Sequence, residues 1–87
     1  DTCIITFVNK LGDRMDWLHL PLGTEDFFLA DNADVFTSDK GKILYMSLLS
    51  SDDEWKELID LGSMGINKIS RIAVNKKLNK MTIVVNE

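Results

Sequence analysis

The sequence predicts an α+β domain: a mainly antiparallel sheet of about five to six strands in hairpins, with one amphipathic helix, 52–61, packed on one face. Three observations point there. β-branched and aromatic residues gather in short runs separated by Gly, Asn and Asp, the pattern of strands joined by turns. The stretch "SSDDEWKELIDLG" has the start, spacing and end of a helix. The chain's 87 residues leave room for one compact core, so a single domain over 1–87 is expected.

"TCIITFV", residues 2–8, reads as a first strand, "NKLGD" as the turn after it, and a second strand lies near Met15 to Leu20, ended by Pro21 and Gly23. "TEDFFLADNAD" offers Thr24 as an N-cap with acids behind it, and reads as a short helix or structured loop before Asn32. "ADVFTSDKGKILYMSLL" is a hairpin with strands near 34–38 and 42–49, Gly41 supplying a positive φ. In the helix, Ser51 and Glu54 have capping-box spacing, and Asp52 and Asp53 suit the positive end of the macrodipole. Trp55, Leu58 and Ile59 form its apolar stripe and Gly62 closes it.

"MTIVVN", 81–86, is dense in β-branched residues and reads as a strand. Before it, "KISRIAVN" pairs as a strand through "NKKLN". Ile66, Ile69 and Ile72 recur every third residue, so a helix over 66–76 also fits. The strand is preferred because three Ile and a Val cost helix propensity. The expected core is Ile5, Phe7, Phe36, Ile43, Tyr45, Leu48, Ile72, Val74, Ile83 and Val85. "VNKLGDRM" at 8–15 and "VNKKLNKM" at 74–81 share Val, Asn, Lys and a closing Met, as two turns drawing on the same few residue types would.

An apolar share of 45% suits a folded protein, and no apolar run approaches the roughly 20 residues that span a bilayer, so no membrane partner is expected. The lone Cys3 excludes an intramolecular disulfide and favours a reducing, cytoplasmic setting. Alternating with Ile5 and Phe7, it reads as a small core side chain.

Charge is the strongest functional signal. Residues 1–61 carry a net −8 and residues 62–87 a net +4. Either the basic end meets an anionic partner, or the acidic part meets a basic one, or the two ends face each other across the fold or an oligomer interface. The basic set is Lys68, Arg71, Lys76, Lys77 and Lys80. The "GSMG" before it resembles the glycine-bracketed loop with which KH domains clamp a nucleic-acid backbone. Ser63 and Met64 between those glycines are neutral, however, and Lys68 falls where that family has an aliphatic residue. The glycines therefore read as a helix exit and a sharp turn. No aromatic residue follows Trp55, so the basic strip lacks platforms for stacking bases.

The acidic set is Glu25, Asp26, Asp31, Asp34 and Asp39, with no base between Arg14 and Lys40. It lacks the alternating ligands, Gly bend and distal acid of a calcium loop, and no metal or cofactor is expected. His19 has no partner pair for general-base work, and neither a nucleophile elbow nor a phosphate-binding or dinucleotide fingerprint is present, so no catalytic residues are expected. The expected function is a small non-catalytic protein-binding module, an inhibitor, adaptor or subunit. It would meet a basic protein partner through the acidic segment 25–39. The alternative is RNA or single-stranded DNA binding through the basic hairpin 68–80. Homo-oligomerisation is compatible with both.

Overall fold

The computed structural model describes residues 3–21, 24–49 and 54–85, and it corrects the α+β expectation. The described residues form eight strands: β1 (Cys3–Val8), β2 (Arg14–Leu20), β3 (Phe27–Leu29), β4 (Asp34–Asp39), β5 (Lys42–Ser47), β6 (Lys56–Asp60), β7 (Ile69–Val74) and β8 (Met81–Val85). The helical structure among them is one turn of 3-10 helix at Gly62–Met64. The strands make three small antiparallel sheets, ordered β1-β2, β3-β4-β5-β6 and β7-β8.

The amphipathic helix predicted over 52–61 does not form. Its described part is the edge strand β6, and the proposed capping residues Ser51, Asp52 and Asp53 lie outside the described residues. A helix of that length is below the roughly 12–15 residues at which an isolated helix becomes marginally stable in water. Pairing with β5 offers the same backbone groups partners along the ladder from Lys42↔Asp60 to Tyr45↔Lys56. The Leu61 N–H extends the attachment by donating to the Gly41 carbonyl at 2.8 Å. A bulge skips Leu58, so residues spaced for one helical face are accommodated on a strand.

The short helix or loop considered after Thr24 is instead β3, paired with β4 through Phe28↔Phe36. Thr24 caps nothing; its hydroxyl donates to the Ser38 carbonyl at 3.0 Å. The strand preferred over a helix within 66–76 forms as β7. In the β4–β5 turn the positive φ belongs to Lys40, at 58°. Gly41 is required for another reason: a Cβ there would collide with the Ile66 carbonyl oxygen, where the turn meets the chain backbone to backbone.

β4 is the structural centre. Val35 and Thr37 are buried on one face, Phe36 and Ser38 on the other. Burying two hydroxyls is tolerable because both are satisfied. Thr37 donates to the Asp26 carbonyl (2.9 Å), and Ser38 donates to the Ile69 carbonyl (3.4 Å). The main core cluster is Ala30, Phe36, Ile43, Ile69 and Ile72, with Tyr45, Val74, Ile83 and Val85 packed against it. β7 and β8 therefore cover the Phe36 face of the four-stranded sheet. Ile5 is also buried and Leu48 partly so, while the side chains of Phe7 and Cys3 lie outside the described residues. Val35, Met46, Ile69 and Ala30 are buried beyond the expected set.

The two similar loops prove to be built alike. Asn9 closes the β1–β2 turn by accepting the Leu11 and Asp13 N–H groups on its side-chain oxygen, at 2.9 and 3.0 Å. Asn75 closes the β7–β8 turn by accepting those of Asn79 and Lys80, at 3.0 and 3.1 Å. Three residues past each Asn the chain turns left-handed, at Gly12 (φ 86°) and Leu78 (φ 58°).

The molecule is extended for its size. Its radius of gyration is 13.5 Å, against about 12 Å for a compact domain of this length. Its accessible surface of 6314 Å² is about 1,100 Å² more than the roughly 5,200 Å² typical of a monomer of its mass.

Candidate functional site

The five acids do not form one surface. Glu25 is ion-paired with Lys68 at 3.2 Å, one member from each predicted set. The half-buried Asp26 turns inward, its carboxylate accepting the Ile72 N–H at 3.0 Å and so tying β7 to the chain entering β3. Asp39 stands at the far end of β4 from Asp34, about 17 Å away for a strand of that length, in a shallow depression with Lys40, Lys42 and Asp60. Asp31 and Asp34 remain together, flanking the turn between β3 and β4. Asn32 holds Asp34, donating to its carboxylate at 2.9 Å and accepting its N–H at 3.1 Å.

The basic set divides in the same way. Lys68 is taken by Glu25, and Arg71 is exposed on β7 just past the bulge at Ser70. Lys76, Lys77 and Lys80 lie exposed on the β7–β8 loop, where Lys80 shares a groove with Asp34 and Lys76 a hollow with Asp31. The fold thus brings two acids and two of these lysines to facing walls.

Between those walls runs an open groove of about 360 Å³. Its apolar floor is Phe36, Tyr45, Leu58, Val74 and Met81; Asp34 stands on one side and Lys80 on the other. A smaller hollow of about 160 Å³, under Asp31 and Lys76, reaches Phe28 and Ala30. Leu78 and Val74 line both. Leu78 holds its left-handed backbone conformation without glycine's freedom, a cost of roughly 1–2 kcal/mol.

None of the floor residues was singled out for function from the sequence. In the sequence Leu58 carries the spacing of a helix stripe, and Phe36, Tyr45 and Val74 read as core. The one legible signal was Leu78, an aliphatic residue in the otherwise polar turn "NKKLNK". His19 is exposed, and its backbone carbonyl accepts the Trp55 indole N–H at 3.1 Å. Among the described residues no three His, Cys, Asp or Glu side chains converge as a metal site would require. No helix among them is long and apolar enough to cross a membrane.

Comparison with protein-family models, with curated proteins and with solved structures finds no match for this chain.

Proposed function

We propose that this chain is a small non-catalytic protein-binding module whose contact surface is the mixed-charge groove between the β3–β4 turn and the β7–β8 loop. The carrying observation is the apolar floor flanked by Asp34 and Lys80. Apolar area at the centre with charge at the rim is the anatomy of a protein interface. The acidic contact surface expected over 25–39 narrows to Asp31 and Asp34, because Glu25 and Asp26 are engaged within the chain and Asp39 lies apart.

The test is calorimetric. A partner captured by the wild-type chain and identified is purified and titrated against wild type, Leu58→Asp and the double variant Asp31→Asn/Asp34→Asn. Leu58→Asp should weaken binding by about thirty-fold or more, as a truncated hot spot does, and the double variant should chiefly slow association. Unchanged affinity for both variants would sink the groove as the contact surface.

RNA or single-stranded DNA binding is the second reading, supported by Lys76, Lys77 and Lys80 gathering on one exposed loop. It is the weaker one, since Asp31 and Asp34 face the same grooves and repel phosphate, and Phe36 is buried. A gel shift with single-stranded RNA at about 50 mM salt that shows no complex disposes of it.

A further inference from the structure

We infer that the groove's occupant is the β1–β2 hairpin tip of a second copy of this chain, giving head-to-tail self-association. The inference rests on the groove being a contact surface and names what fills it.

The chain carries both halves of such a contact. At the hairpin tip Leu11 is 87% exposed, the most exposed large apolar side chain among the described residues. Its backbone is held in place. The Asn9 side chain accepts the Leu11 and Asp13 N–H groups, and the Asn9 N–H donates to the Asp13 carbonyl at 3.0 Å. Little ordering therefore remains to be done on binding, which is what favours affinity in a protruding loop. Lys10 and Arg14 flank Leu11 in sequence.

The groove has room for such a tip, and both carry charges of either sign. Its volume of about 360 Å³ is ample for an aliphatic side chain, since a cavity of about 150 Å³ already takes benzene. Asp34 on its rim suits Lys10 or Arg14 of the tip, and Lys80 on its other side suits the tip's Asp13. A tip on one copy meeting a groove on the next is a heterologous contact, so each added copy leaves one tip and one groove free. Assembly should run past the dimer.

Sedimentation velocity on the full chain over a concentration series tests this. Wild type should grow in mass with concentration beyond two copies. Leu11→Asp, which loses the tip, and Leu58→Asp, which loses the groove, should each remain monomeric, with self-association weakened by at least about thirty-fold. Mixed together they should form a one-to-one heterodimer and nothing larger, because one supplies an intact groove and the other an intact tip. That complementation also shows that both variants are folded.

Wild type that stays monomeric throughout overturns the inference, as does a mixture that forms no heterodimer or a Leu11→Asp variant that associates like wild type. A monomeric wild type whose foreign partner is lost on Leu58→Asp removes the second copy and keeps the groove. If Leu58→Asp changes neither self-association nor foreign binding, both fall.

Discussion

Gly12 and Gly41 separate two ways in which a glycine becomes indispensable. Gly12 has a φ of 86° with open space where a Cβ would stand, so Gly12→Ala carries only the left-handed backbone cost, about 1–2 kcal/mol. Gly41 has a side-chain position already occupied by the Ile66 carbonyl oxygen. Gly41→Ala must push two backbone segments apart and is expected to cost at least the roughly 1–3 kcal/mol of an overpacked core. Urea denaturation of the two variants should show the smaller midpoint shift for Gly12→Ala, and the reverse order would contradict this account of the β4–β5 turn. The sequence showed that Gly41 matters and misassigned why, because a backbone collision with a residue 25 positions away leaves no local trace.

At the scale of elements, the contact between the β7–β8 hairpin and the four-stranded sheet depends on Asp26. Asp26→Ala leaves the Ile72 N–H without its acceptor in a half-buried place, at a cost of about 1–3 kcal/mol, whereas Asp26→Asn keeps an acceptor oxygen and should recover part of it. Equal loss in both variants, measured by denaturant midpoint, would assign the effect to charge alone. The Glu25–Lys68 pair spans the same gap but is 40% and 56% exposed at its two side chains. A double-mutant cycle there should return less than about 1 kcal/mol, shrinking further as salt is added. These two contacts also mark how far the sequence could be read. Strands β1, β2, β4, β5 and β8 were legible because alternation and turn residues agree within each, and β7 because its Ile and Val residues cost helix propensity. β6 was not, since "EWKELIDL" carries helical spacing and only the open edge of β5 makes it a strand. The charge asymmetry was legible, but that Glu25 meets Lys68 and Asp26 meets Ile72 depends on how the hairpins stack. The groove floor was hidden for the same reason: Phe36, Tyr45, Leu58 and Val74 come from four strands.

For the whole molecule, modest burial and an extended outline go together. The described residues bury eight apolar side chains below about a tenth of their surface, and Ile69→Ala, in the centre of that set, should cost about 2–5 kcal/mol. A domain of this size has little stability to spare, so thermal unfolding of this variant should already be under way at physiological temperature. A second consequence lies in the strand order. Each ladder joins strands that follow one another in sequence, and the widest-spaced partners in any of them are Lys42 and Asp60. No strand waits for a distant one to arrive. Short loops close at small entropic cost, so refolding in a stopped-flow experiment is expected at the millisecond end of the range for all-β proteins. The hairpins would form first, leaving their stacking through Ile69 and Asp26 as the rate-limiting event. Substitutions at those two residues should then slow refolding, whereas Gly12→Ala, within one hairpin turn, should act on it differently.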